Sequence, residues 1–335
     1  MKTDTSVKIL EYIRKNGQAR PDDIGRFLGI GQVAVHRQLK RLIDQEKLEK
    51  IGNPPLVFYT LPVSSLNKRR ATFSPDFDVA VNEYINENYL YVSPQGEVIY
   101  GVEGFKSWAL LKRPEINVEM LAQNYFKACQ SVEKRRSSEG WIDATDKLKS
   151  TFPDNVLSKL LYGDFYSIPE FGKTKLGSLV LYAKQSQSRA LIDEIAEEVR
   201  PLIMHIIEKY KIDTVGFIPP SIPRRIQFMK EFKNYLGLNI KTLSLVKTYK
   251  GDVIVAQKTL SDVNDRIANA KETIFPREEL SEYMQNVLLI DDAVGSGATL
   301  NETGKKLLMS EKHVKTIVGF AVVGSIKGFE VLREV

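Results

Sequence analysis

The stretch VLLIDDAVGSGAT, residues 287–299, constrains the fold more than any other part of this 335-residue chain. Val287, Leu288, Leu289 and Ile290 run without interruption into two adjacent carboxylates, Asp291 and Asp292, and then into a loop of small residues. A short unbroken apolar run is what a parallel strand buried on both faces requires, and the chain after Thr299 changes to helical spacing. That order predicts an open α/β sheet, in which ligands bind beyond the carboxyl ends of the strands, so Asp291 and Asp292 are expected at a binding crevice. Gly295 and Gly297 permit positive φ and close backbone approach. The N–H groups of Val294, Gly295, Ser296, Gly297, Ala298 and Thr299 can then wrap a phosphate at a helix N-terminus. Thr299 is expected to cap that helix. The competing reading is a strand that ends in two solvated acids before an ordinary glycine turn.

Apolar runs at residues 179–183, 214–218, 243–247 and 316–323 predict further strands. Between them lie helical patterns such as residues 188–210, where Pro201 is expected to interrupt or kink the helix. Strands alternating with helices predict a mainly parallel sheet, in a domain that begins near Leu176. The turn PPSIPRR, residues 219–225, follows one of these strands, so Arg224 and Arg225 can meet a pyrophosphate. Lys247, Lys250 and Lys258 lie along the loop region that comes next, and Arg266 follows them. For Arg224, Arg225 and Arg266 a solvated basic surface is the alternative.

The charge of the chain is unevenly placed. Residues 1–70 hold 14 Lys or Arg against 7 Asp or Glu, a net +7, which leaves −1 on the rest of a chain whose total is +6. A basic module attached to a near-neutral body is the footprint of a nucleic-acid-binding domain joined to an enzyme-like one. Within residues 1–65 the spacing predicts three helices. The third, from about residue 32 to 45, turns Val35, Leu39, Leu42 and Ile43 inward and Val33, Arg37, Lys40 and Arg41 outward. His36 flanks the inner stripe and is expected to be packed. Two short strands, at residues 48–51 and 56–61 around the turn GNPP, complete the module. Use of this face for protein contacts is the alternative to use on nucleic acid.

Residues 66–175 read as a helix-rich connector. It contains a linker at residues 67–76, helices at residues 79–85 and 118–133, and a hairpin around SPQG, residues 93–96. No run approaches the roughly 18 apolar residues of a membrane span, and the N-terminus lacks a signal-peptide apolar stretch, which predicts a cytoplasmic protein. Cys129 is the single cysteine, and His36, His205 and His313 are the only histidines. Neither an intramolecular disulfide nor a Cys- or His-based metal cage is expected.

The stretch at 287–299 resembles the ribose-phosphate motif of type I phosphoribosyltransferases, in which an apolar strand, a pair of acids and a small-residue loop ending Gly-x-Thr occur in this order. The resemblance implies that Asp291 and Asp292 hold the ribose hydroxyls of phosphoribosyl pyrophosphate (PRPP). It implies that Ala293, Val294, Gly295, Ser296, Gly297, Ala298 and Thr299 hold its 5′-phosphate, and that Mg²⁺ arrives with the pyrophosphate. Gly295 departs from the pattern, since the family more often has Ser or Thr there. Gln257, Leu260 and Ser261, then Arg266, Asn269 and Phe275, look like the ComF-type branch over about residues 176–326, although that branch's zinc ribbon is missing. Arg266 and the two acids are thereby implied at the catalytic centre. The first module, with DDIGRFLGIGQVAVHRQLKRL as its core, resembles a winged helix-turn-helix.

Three functions follow from these resemblances as expectations. One is an enzyme that transfers or cleaves phosphoribose. Another is a PRPP-responsive winged-helix transcriptional regulator, like purine repressors that fuse the same two parts. The third is an effector of bacterial antiphage defence, because the order winged helix, connector, phosphoribosyltransferase resembles proteins encoded beside retron reverse transcriptases. In that case residues 1–70 are expected to engage a reverse transcriptase and its DNA–RNA hybrid. A homo-oligomer is expected in each case.

Overall fold

The computed structural model describes residues 5–16, 18–52, 57–62, 77–255, 259–260, 262–277, 284–309 and 313–326. The described residues fall into two units, one of residues 1–82 and 90–114 and one of residues 83–89 and 115–335.

The first unit opens with α1 (Thr5–Asn16), β1 (Gln18–Ala19), α2 (Pro21–Leu28) and α3 (Gln32–Asp44), followed by β2 (Glu49–Ile51) and β3 (Phe58–Thr60). Arg20, extended because Pro21 follows it, starts α2 with that proline in its first turn. Gly29 ends the helix at φ 64° and returns its N–H to the Gly25 carbonyl. The α2–α3 turn is thereby kept short, which sets the crossing of a helix-turn-helix. Ile9, Ile13, Ile24, Val35, Leu39, Leu42, Leu48 and Tyr59 pack into the core between the helices and the wing. Each such side chain contributes about 1.5–3 kcal/mol on burial. The expected two-stranded wing has a third member, since β1 pairs antiparallel with β3 on the side opposite β2. Two residues are too few for an alternating pattern to register. Gly17 and most of the GNPP turn lie outside the described residues, as does the 67–76 linker.

The helix α4 (Val79–Asn88) precedes a hairpin of β4 (Leu90–Val92) and β5 (Val98–Tyr100), and α5 (Gly101–Lys112) follows. In the hairpin turn the Ser93 hydroxyl accepts from the N–H groups of Gln95 and Glu97.

The second unit continues with α6 (Val118–Glu133), β6 (Ile142–Asp143), α7 (Thr145–Thr151), β7 (Lys159–Phe165), β8 (Ser167–Ile168) and β9 (Gly172–Lys173). Then come α8 (Lys175–Ser186), α9 (Arg189–Lys209), β10 (Thr214–Phe217), α10 (Phe228–Leu236), β11 (Lys241–Leu243) and β12 (Leu245–Lys247). The last elements are α11 (Val263–Thr273), β13 (Ile274–Pro276), β14 (Asn286–Val294), α12 (Ala298–Met309) and β15 (Thr316–Gly324). Six strands form one sheet in the order β11-β10-β14-β15-β7-β6, parallel throughout except for β6 at the edge. The fold is therefore mixed α/β, with a winged helix before a mainly parallel sheet. Val287, Leu288, Leu289 and Ile290 are fully buried at the centre, as the unbroken apolar run requires.

Four sequence expectations are corrected here. Residues 179–183 are helical, not extended, because Thr174 caps α8 at the Gly177 N–H (2.9 Å) and the helix is buried nearly all round. An apolar run without a polar face does not report its period. The run 243–247 divides at Ser244, so that β11 joins the main sheet while β12 pairs antiparallel with β13. Pro201 does not interrupt the helix expected over residues 188–210: α9 runs through it, with Ser188 as its N-cap. Finally, the sheet begins before residue 176: β7 lies parallel to β15 and β6 pairs with β7, which takes residues 142–165 out of a connector.

Candidate functional site

β10 leads by α10 to β11 on one side of the sheet, while its neighbour β14 leads by α12 to β15 on the other. The connections leave in opposite directions, and such a switch point opens a crevice at the carboxyl ends of the two strands. A cavity of about 220 Å³ lies there. Its walls include Asp291 and Asp292 from β14, all of residues 293–299, and Pro219, Pro220, Ser221 and Arg224 from the turn after β10. Lys184 of α8, Lys247 of β12 and Arg266 of α11 complete its charged lining.

The loop after β14 is shaped for close backbone approach. Gly297 takes φ 89°, and a Cβ on it would lie 2.6 Å from Leu148 Cδ1, so a side chain there is strained and requires Leu148 to shift. Of the two loop glycines only Gly297 has positive φ. Ser296 is buried, and its hydroxyl accepts from the Ala298 N–H at 3.3 Å. This corrects the expectation for Thr299, which is the second residue of α12, so that Ser296 supplies the capping oxygen. Among the described residues, none accepts from the N–H groups of Gly295, Ser296 or Gly297. They stand at the positive end of α12, where an anion is favoured.

The two acids differ in surroundings. Asp291 Oδ1 accepts the Asp292 N–H at 2.8 Å, and Asp292 Oδ1 is paired with Lys184 Nζ at 3.0 Å. Burial, followed by the charge of Asp292, holds the Asp291 carboxyl well above the usual carboxylate range. The basic side of the cavity is a second network. Lys247 Nζ donates to Ser221 Oγ at 2.8 Å, and the Tyr249 hydroxyl lies 2.9 Å from the Ser221 carbonyl. Burial holds Lys247 down to about 8, with Asp291 pulling the other way. Arg224 Nη1 donates to the Lys184 carbonyl, and Arg266 Nε donates to the Leu260 carbonyl at 2.8 Å. Burial also lowers Arg266.

The structure thus brings together Asp291, Asp292, residues 293–299, Arg224 and Arg266. Arg225, expected beside Arg224, is exposed and absent from the cavity wall, because consecutive residues of an extended turn point apart. Lys250 pairs with Glu272 at 3.0 Å on the surface, and Gln257, Lys258 and Ser261 lie outside the described residues. Asn269 is half-buried in α11 with its Oδ1 buried and unpaired, and Phe275 packs under Lys306, whose Nζ is 3.7 Å from the ring centroid. Sequence reasoning missed Lys184 and Ser221. The lysine sits one residue beyond a run that reads as a strand; α-helical phase, once recognised, points to it.

On α3, Arg37, Lys40 and Arg41 are exposed, and Val33 is 86% exposed, while Val35, Leu39 and Leu42 are buried. The outward face is as expected. His36 is exposed too, contrary to expectation, since the inner stripe is narrower than its flank.

A family model described as winged helix-turn-helix DNA-binding matches residues 2–49. No curated protein matches the chain. Solved structures similar to it include a hypoxanthine phosphoribosyltransferase from Staphylococcus aureus, at 14% identity over 43% of this chain and 71% of that one, with a TM-score of 0.24. A hypoxanthine-guanine phosphoribosyltransferase from Bacillus anthracis matches at 12% identity over 41% and 68%, with a TM-score of 0.24. An adenine phosphoribosyltransferase from Leishmania tarentolae matches at 13% over 49% and 93%, with a TM-score of 0.22. The N-terminal module is a winged helix-turn-helix, and the C-terminal unit is an α/β sheet with a loop of small residues at its switch point.

Proposed function

We propose that this protein is a nucleic-acid-associated enzyme of phosphoribosyltransferase type, binding PRPP in the cavity at the β10–β14 switch point. The observation that carries the reading is the sorting of charge around one cavity. Two carboxylates suited to sugar hydroxyls, a loop of N–H donors suited to a monophosphate, and three basic side chains suited to a pyrophosphate all line it. In this reading Asp291 and Asp292 accept the ribose hydroxyls, residues 293–299 hold the 5′-phosphate, and Arg224, Lys247 and Arg266 face the pyrophosphate.

Reaction at the ribose breaks the bond from C1 to the pyrophosphate oxygen, whose electron pair leaves with pyrophosphate, while an acceptor bonds to C1. The chain's part is positioning and electrostatics. No group of three His, Cys, Asp or Glu side chains that could hold a metal occurs among the described residues, and the cavity offers two carboxylates. That donor set fits an ion carried largely by substrate phosphates, so Mg²⁺ would neutralise the departing pyrophosphate. On α3, Arg37, Lys40 and Arg41 would meet phosphates of a nucleic acid and Val33 a base methyl group.

Calorimetry of the full chain with PRPP and Mg²⁺ tests the site. Replacing both Asp291 and Asp292 by Asn is expected to weaken binding by at least about tenfold for each charge-assisted hydrogen bond removed. Unchanged affinity in the double variant overturns the assignment. The finer reading is an effector of retron-type antiphage defence, held by a reverse transcriptase and its nucleic acid. It rests on the order of modules, and it requires that expression of the chain alone arrest growth and that D291N/D292N relieve the arrest. Retention of basic groups on the pyrophosphate side favours an enzyme over a sensor, which needs only to recognise its ligand. Harmless expression, with one operon's transcription altered by the same variant, would make the PRPP-gated regulator the better account.

A further inference from the structure

The last turn of α8 touches both walls of the cavity through a single residue and its neighbour. Lys184 gives its ammonium to Asp292 Oδ1 at 3.0 Å, while its carbonyl accepts from Arg224 Nη1. Gln187, at the end of the same helix, accepts the Ile226 N–H on its Oε1 at 3.0 Å. The ion pair is sheltered, with the two side chains 27% and 18% exposed. Asp292 stands beside a second carboxylate, and the Lys184 ammonium is the cation that fixes its position against that like charge. Because Oδ1 is committed to Lys184, the other oxygen of Asp292 is turned to a definite place.

We propose that Lys184 is a positioning residue for ribose recognition, holding Asp292 in the orientation in which its second oxygen accepts a sugar hydroxyl. This inference rests on the ribose-phosphate reading above. It deepens that reading by assigning the sugar-side selectivity of the cavity to a residue outside the motif. Loss of Lys184 is expected to affect a ligand that carries hydroxyls, and not one that uses the phosphate loop alone.

The test compares ribose 5-phosphate with inorganic phosphate, by calorimetry, on the full chain. In the wild type ribose 5-phosphate is expected to bind at least about tenfold more tightly than phosphate, as one charge-assisted hydrogen bond implies. In Lys184→Met that preference is expected to collapse toward one while phosphate affinity stays at its wild-type value. Lys184→Arg should restore the preference, and Lys184→Gln, closer in length and polarity, guards against a Met variant that misfolds. If the Met and Gln variants fold and keep the wild-type preference, or lose affinity for both ligands equally, Lys184 is a structural residue and the inference is overturned. If the wild type itself shows no preference for ribose 5-phosphate, the ribose reading fails and this inference with it, a result distinguishable because it appears before any substitution.

Discussion

Lys247 Nζ donates to Ser221 Oγ at 2.8 Å, joining strand β12 to the turn that follows β10. The bond ties a partly buried ammonium to the rim of the cavity, and burial makes that charge costly to keep.

Lys247→Met is therefore expected to stabilise the protein while impairing ligand binding. Burial lowers the folded-state value from 10.5 to about 8, so below pH 8 both folded and unfolded chains carry the charge and the burial cost is present in full. As pH rises from about 8 to 10.5 the folded chain releases its proton first, and the contribution of this group to stability increases. The Met variant should melt about 2 °C higher near neutral pH and lose part of that advantage in alkali. Its affinity for pyrophosphate should be lower and should no longer fall as pH passes about 8. Thermal melts and titration calorimetry across pH check both signs.

Charge reversal at Arg37 and Arg41 should weaken binding of the full chain to DNA and flatten its salt dependence. Every phosphate that the variant no longer neutralises takes about 0.9 off the slope of log affinity against log salt. A gel shift at several salt concentrations reads the slope, and a slope unchanged in R37E/R41E would assign the face to protein contacts.

Two glycine-to-alanine changes separate backbone strain from crowding. Gly29 has φ 64° with open space around its absent Cβ, so Gly29→Ala carries the conformational cost alone, about 1 kcal/mol. Gly297 adds the 2.6 Å approach of Leu148 to its φ of 89°. Gly297→Ala should therefore cost about 3 kcal/mol or more and displace the loop. Denaturant unfolding measures both, and the second variant alone should lose phosphate binding.

Arg136 closes a sheltered network behind β7. Its guanidinium donates to the carbonyls of Gly140 (2.8 Å) and Gly163 (2.7 Å), to Asp164 Oδ1 (3.0 Å) and to Glu133 Oε2 (2.8 Å). Arg136→Met takes the charged partner from Asp164, whose Oδ1 then keeps only the Phe165 N–H, and removes a donor from the Gly140 and Gly163 carbonyls, which should cost about 3–5 kcal/mol. Burial raises Asp164 to about 6 even with Arg136 beside it, so its cost is present in full above that pH and is relieved as pH falls from 6 toward 3.8. Without the arginine the acid should take up its proton at higher pH still. The variant's deficit should therefore shrink in mild acid, which unfolding curves at pH 7 and about pH 5 would show.

How far the sequence could be read depends on whether a residue's role is local. Val287 to Thr299 announce strand, acids, loop and helix because each step is encoded within a few residues, and the exposed basic face of α3 is legible from its 100° phase for the same reason. Residues 179–183 were unreadable because a helix buried on nearly every side has no polar face to mark its turns. The place of β7 in the sheet depends on β15, more than 150 residues away, and no local pattern carries that pairing. Arg225 lies off the cavity wall and Lys184 escaped notice for one reason: which side chain of a turn or helix end faces a cavity is decided by packing from elsewhere.

The approach of Leu148 to Gly297 gives residues 142–165 a further part. Leu148 and Leu160 stand against the loop at Gly297 without lining the cavity, and act as a mould against which its backbone is cast. An anion would then meet a concavity whose depth is set by two leucines it never touches. Trimming Leu148 to Ala would leave every ligand-facing group in place and still blur the concavity. Affinity in such a site is adjustable from the hydrophobic side of the sheet, where substitutions are graded in volume and do not disturb the charges in front.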